Sequence, residues 1–173
     1  MTKTNPLSVK NIKDIARIVR EDNKISNDEA FPIFNYLEEL FSKGDLSIQI
    51  LEDDDPYLDE QTIAVYNCFD NFIYIKDSAI KELEEGNPRN NFTLAHELFH
   101  YMQANVLDFS FEEVEECKTY EDVDWQANEF AGELLVPDEA LMLEAEDISS
   151  IYNVSIECAL TRKMKQKKRN SKK

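Results

Sequence analysis

His96 and His100 are the only two histidines in the 173-residue chain, and they stand four apart with Glu97 directly after the first. On a helix, four residues advance about 40° beyond one full turn, so both imidazoles leave the same side from adjacent turns and can grip one metal ion. Glu97 lies about 100° round from His96, placed to reach a water held by such a metal without being a ligand itself. The chemistry this spacing permits is metal-assisted hydrolysis, in which the metal acidifies a water and polarises a carbonyl while the glutamate acts as general base. Catalytic zinc ordinarily takes three protein ligands and leaves a fourth position open. With no third histidine, the remaining donor has to be a carboxylate or a cysteine. Two histidines and a carboxylate also permit iron(II) chemistry, but a glutamate inside a four-apart pair favours zinc, with Mn2+ as the second choice.

The residues around the pair predict the helix that must carry it. Asn90 or Asn91 is suited to the N-cap, and Phe92, Ala95, Phe99, Met102 and Val106 follow at intervals of three and four. No Gly or Pro interrupts residues 92–106, which leaves a rigid element of about four turns. A second amphipathic helix is expected over residues 120–136, with Ala127, Phe130, Ala131, Leu134 and Leu135 inward and Pro137 closing it. Glu121, Asp124 and Asn128 then share one face of that helix.

The two blocks Asn91-Phe92-Thr93-Leu94-Ala95-His96-Glu97-Leu98-Phe99-His100 and Asp124-Trp125-Gln126-Ala127-Asn128-Glu129-Phe130-Ala131-Gly132-Glu133-Leu134-Leu135-Val136-Pro137 together resemble the ImmA/IrrE family of metallopeptidases. The pattern FTLAHELGH followed by EWQANxFAxxLLMP matches most positions of both; the likeness is weak over the first forty residues. The resemblance implies a zincin-like, gluzincin-type fold with His96 and His100 as metal ligands, Glu97 as general base and Asp124 as third ligand. Asn128, four residues after Asp124, is a candidate to orient one of the histidines. Two positions depart from the pattern. Asp124 stands where the family has Glu, one methylene longer, which makes Glu121 the alternative ligand. Phe99 stands where the family often has Gly, so a ring has to find core volume beside the site. A donor for the oxyanion is missing from both blocks, and Arg89, Tyr101 and Tyr120 are the nearest candidates in sequence.

The rest of the chain reads as an α+β domain: helices over residues 9–20 and 28–42, strands over 46–52, 62–68 and 72–76, and a helix over 77–85 leading into the histidine helix. The expected sheet is small, of about three strands, antiparallel or mixed, with one edge able to hold an extended substrate by strand addition. Residues 147–163 read as a helical hairpin turning at Asn153-Val154. No apolar run of transmembrane length and no cleavable signal is seen, and Cys68, Cys117 and Cys158 form no disulfide or metal spacing, so a cytoplasmic location is expected. Residues 1–161 form the expected single domain and 162–173 a basic tail. All 36 acidic residues lie before Thr161, and residues 162–173 hold 8 of the 19 basic ones. The acidic body should repel nucleic acid, and only the tail offers it a contact.

Two functions follow from this reading. The first is a cytoplasmic zinc-dependent, site-specific endopeptidase whose substrate, as the resemblance implies, is a helix-turn-helix DNA-binding repressor, releasing genes of mobile elements or stress responses. The second is a binding regulator that retains the fold and sequesters a transcription factor without cutting it.

Overall fold

The computed structural model describes residues 1–171. Its first helix, α1 (Val9–Asp22), is started by a reciprocal cap: the Ser8 hydroxyl accepts from the Asn11 N–H while the Asn11 side chain accepts from the Ser8 N–H. It buries Ile12, Ala16 and Val19. The next helix, α2 (Ile33–Lys43), stops at Gly44, which takes φ +79°. It starts five residues later than the sequence suggests, because Pro32 lacks an N–H and keeps Phe31 out of the helical region.

Three strands follow, β2 (Ser47–Leu51), β3 (Ala64–Asn67) and β4 (Phe72–Lys76), in the order β2-β4-β3. β2 runs parallel to β4 and β3 antiparallel to it, so the sheet is mixed. Ala64, Tyr66, Ile73 and Ile75 point into the core. A short helix, α3 (Asp77–Glu84), then leads through Gly86 at φ +83° into α4 (Arg89–Asn105), the histidine helix.

α4 lies at the centre of the molecule, between the sheet and α5 (Val123–Leu135). Leu94, Ala95, Leu98, Phe99, Tyr101 and Met102 are all buried, so the apolar surface spreads well beyond the predicted stripe, while Val106 at its end is exposed. Neither Asn90 nor Asn91 caps it. Both sit in its first turn, where their amides donate to the carbonyls of Ala79 and Asn153, and the Asn87 side chain accepts from the Arg89 N–H instead. Phe99 is fully buried and stacks on Phe130 of α5, ring centroids 4.4 Å apart. The bulky ring therefore fills the seam between the two helices rather than the site.

The sequence pattern did not reveal a small antiparallel sheet of β1 (Thr2–Thr4) with β5 (Phe111–Glu113), since three-residue strands are too short for a periodic signal. The chain ends in a hairpin of α6 (Ala145–Tyr152) and α7 (Ile156–Asn170), turned by Asn153 at φ +52° and restarted by a Ser155 cap. The division drawn after residue 161 falls inside α7, which is continuous to Asn170. Arg162 is buried and bonds to Glu133 at 2.6 Å, Lys165 pairs with Glu129 at 2.6 Å, and Arg169 bridges both glutamates. Much of the basic segment is thus spent on fastening α7 to the outer side of α5. Residues 172 and 173 of that segment lie outside the described residues. Among the described residues no helix is long and apolar enough to cross a membrane.

Phe99→Ala should leave a cavity between α4 and α5 and cost about 3–5 kcal/mol of stability. Urea denaturation checks this; a loss under about 1 kcal/mol would mean that the seam is not a principal source of stability.

Candidate functional site

The site lies where α4 and α5 cross the same surface in opposite directions. His100 lies near Asp124 at the start of α5, and His96, one turn back on α4, lies near Asn128, one turn on along α5. The two imidazole Nε2 atoms are 2.9 Å apart. Asp124 Oδ1 is 3.4 Å from the Nε2 of His100 and 3.8 Å from that of His96. Ligands tetrahedrally arranged about 2.0–2.1 Å from a zinc ion stand about 3.3–3.4 Å from one another, close to the sides of this triangle. The shorter reach of Asp124 is thus no obstacle, although its side chain is 70% exposed whereas those of the histidines are 18% and 17% exposed.

The partners of the far ring nitrogens fit a cation as well. His96 Nδ1 is 3.2 Å from Asn128 Oδ1, and His100 Nδ1 is 3.1 Å from Gln103 Oε1. With each Nδ1 donating to its amide oxygen, neutral rings would face each other through both Nε2 lone pairs with no proton between them. Two converging lone pairs repel, and a shared metal ion relieves them. By distance, His96, His100 and Asp124 could hold a metal between them.

Glu97 belongs to the same cluster; one donor atom from each of His96, Glu97 and His100 lies within 4.8 Å of the others. Its Oε2 accepts the backbone N–H of Tyr66 in β3 at 2.7 Å. That bond fixes the carboxylate between the sheet edge and the histidines. Burial raises its carboxyl from 4.5 to about 7, against the opposing pull of His100 and the Tyr66 N–H. Burial, helped by the facing His100, lowers His96 to about 4, with Asp124 and Asn128 acting in the opposite sense. Burial also opposes charge on His100, but the hydrogen bond to Asp124, the charge of Glu97 and the bond to Gln103 outweigh it, and the net shift is upward. Two identical side chains one turn apart thus differ in basicity because His96 is lowered by burial and the facing His100, whereas His100 has the hydrogen bond to Asp124 and the charge of Glu97 to offset its burial.

The alternative ligand, Glu121, is turned elsewhere. Asp122 caps α5 by accepting the Trp125 N–H at 2.6 Å, so residue 121 precedes the helix, in a 3-10 turn, and does not share the face of Asp124 and Asn128. Its carboxylate accepts the Lys118 N–H. The three oxyanion candidates are also dispersed. Arg89 opens α4, about 10 Å along the axis from His96. Tyr101 is buried edge-on against Tyr66, and Tyr120 is half-exposed beneath Lys118. Sequence reasoning missed Gln103, Gln126 and Tyr66. Gln103 had a signal, standing three residues after His100 on the same helix face. Tyr66 had none, because it acts through its backbone.

A protein-family profile described as Peptidase_M78, IrrE N-terminal-like domain, matches residues 72–166, more than half of the chain, including α4 and α5. No curated protein matches the chain. Among solved structures, a Mycobacterium tuberculosis transcriptional regulator superposes with a TM-score of 0.54 at 13% identity, over 86% of this chain and 45% of that one. At that identity the likeness is one of fold, and this chain spans less than half the length of that regulator.

In the metal-free protein the folded state holds the Glu97 proton more tightly than the unfolded chain does. The stability tied to that proton is complete below pH 4.5 and is lost as pH rises through about 7. Glu97→Gln keeps an oxygen for the Tyr66 N–H and removes the titration. It should therefore raise the metal-free Tm at about pH 8 relative to wild type and have little effect at about pH 4. Equal effects at the two pH values would contradict a raised Glu97.

Proposed function

The chain belongs to the IrrE N-terminal-like family, with its metallopeptidase-like fold, and from that premise we propose that it is a cytoplasmic, zinc-dependent endopeptidase acting on a protein partner. The partner proposed is a helix-turn-helix transcriptional repressor. The observation that carries this reading is the triangle of His96, His100 and Asp124 donor atoms with the buried carboxylate of Glu97 beside it.

His96, His100 and Asp124 would hold the ion, with Asn128 and Gln103 orienting the two rings. A zinc ion bound there supplies an acidified water and a polarised scissile carbonyl. Glu97 would take the proton of the attacking water and return it to the leaving amine. Burial raises the Glu97 carboxyl in the metal-free protein, which favours its holding a proton for return to a leaving group. The Tyr66 N–H keeps Glu97 from swinging away while it does so. β3 is an edge of the sheet and adjoins α4. In an antiparallel strand the N–H and C=O of one residue point the same way, so the Tyr66 carbonyl faces outward with the N–H that Glu97 has taken. An extended substrate segment pairing along that edge would pass directly beside the base.

The exposure of Asp124 and the scattering of Arg89, Tyr101 and Tyr120 favour a second reading, a regulator that sequesters its transcription factor without cutting it. One experiment separates them. Metal-loaded wild type and the Glu97→Gln protein are incubated with the transcription factor encoded beside the gene, and fragments are sought by mass spectrometry. Wild type should release defined fragments; Glu97→Gln should keep one bound metal per chain and cleave at least about a hundredfold more slowly. Equal cleavage by both proteins would remove Glu97 from the mechanism, and a stable uncut complex would establish the regulator. In the same preparations His96→Ala should lose the metal, and Asp124→Ala should weaken zinc binding by more than the roughly 10–100-fold typical of an outer partner.

A further inference from the structure

Gln103 and Gln126 are fully buried, and their hydrogen bonds form a one-way chain that ends at Nδ1 of His100, the ring nitrogen turned away from His96 and Asp124. The chain starts from two backbone carbonyls. Gln126 Nε2 donates to Asn5 O at 2.8 Å and to Tyr120 O at 2.9 Å. A carbonyl oxygen can only accept, so the Gln126 amide has one admissible orientation, and its Oε1 is directed the other way. That oxygen accepts from Gln103 Nε2 at 2.9 Å, which orients the Gln103 amide in turn. Gln103 Oε1 is thereby presented to His100 Nδ1 at 3.1 Å, and the nitrogen facing it has to carry the proton. With Nδ1–H fixed, the Nε2 lone pair points at His96 and Asp124.

We propose that Gln103 and Gln126 are positioning residues, a relay that imposes the Nδ1–H tautomer on His100 and so turns its Nε2 lone pair to the metal. This rests on the metal-holding reading above. The relay also ties the site to the amino-terminal segment. Leu7 N–H shares the Tyr120 carbonyl with Gln126, Lys3 bridges to Asp122, and β1 is clamped on β5. Asn5 and the turn before α5 therefore set the direction of a hydrogen bond at His100, although neither residue touches it. His96 has no comparable chain behind Asn128 among the described residues.

A simple acceptor at position 103 and a directed relay make opposite predictions for Gln103→Glu. A carboxylate on the far nitrogen ordinarily strengthens a histidine ligand. In the relay, however, one oxygen of that carboxylate would face Gln126 Oε1, and Gln126 cannot flip without turning its own oxygen against two carbonyls. The test measures zinc affinity by chelator competition, and records the tautomer of His100 by nitrogen-15 NMR in metal-free protein at alkaline pH, where the rings are neutral. Circular dichroism confirms folding. Wild-type His100 should be Nδ1–H. Gln126→Met, which removes the relay without touching His100, should mix the tautomers and weaken zinc about tenfold, the lower end for an outer partner. Gln103→Glu should also weaken zinc, and adding Gln126→Met to it should restore affinity by removing the opposed oxygen.

Zinc binding by Gln103→Glu as tight as wild type, or Nε2–H on wild-type His100, overturns the relay while leaving the metal reading intact. A wild-type protein that binds no zinc overturns the metal reading and this inference together. If Gln126→Met fails to fold, Gln103→Glu, which preserves side-chain shape, decides the matter by its affinity.

Discussion

The close antiparallel contact of α4 and α5 is the constraint from which the rest of the site follows. Each helix contributes what the other lacks, the imidazoles from one and the carboxylate from the other. The contact is closed by the Phe99–Phe130 stack, and Ala95, Ala127 and Ala131 are fully buried in the same core. Helix axes approach according to the size of the side chains between them. Alanines at these positions are shared with the family pattern and keep the side chains between the two helices small.

Burying so central a helix leaves polar groups in the core that have to be satisfied. Gln103, Gln126, Glu129, Glu133 and Arg162 are all buried. The glutamines bond to each other and to backbone, whereas the glutamates meet Arg162, Lys165 and Arg169 of α7. Gly132 makes that second arrangement sterically feasible, since a Cβ there would stand 2.8 Å from Arg162 Cδ. α5 is consequently held by ion pairs on its outer side and by an amide chain near its start. Asp124 itself remains exposed. Breaking one member of such a buried pair costs more than the pair contributes, because the survivor is left uncompensated. This couples the fold's tolerance of change at α7 to the placement of the site.

Much of this was legible in the residues. The spacing of His96, Glu97 and His100 implied a helix and a metal grip, and the helix is there. Asp124 was legible through the resemblance rather than through its own surroundings, and the structure brings it within 3.4 Å of His100. The reading of Glu121 as an alternative ligand failed for a local reason: Asp122 takes the cap, so the helix begins two residues after Glu121. The caps proposed at Asn90 and Asn91 failed because both amides are recruited by carbonyls of distant segments. β1 and β5 escaped notice because strands so short are defined by their partner, not by their pattern.

The sequence by itself determined which groups could do chemistry and on which helix face they stand, because helical periodicity is a local property. It also determined the acid-rich body and the concentration of basic charge at the end. Only the tertiary structure decided which carboxylate reaches the histidines, that the basic segment is spent on α5, and that Tyr66 holds Glu97 through a backbone N–H. Basicity belongs to this second group. His96 and His100 are the same residue type one turn apart, yet one is lowered to about 4 and the other raised, since burial and neighbouring charge arise only when distant segments meet.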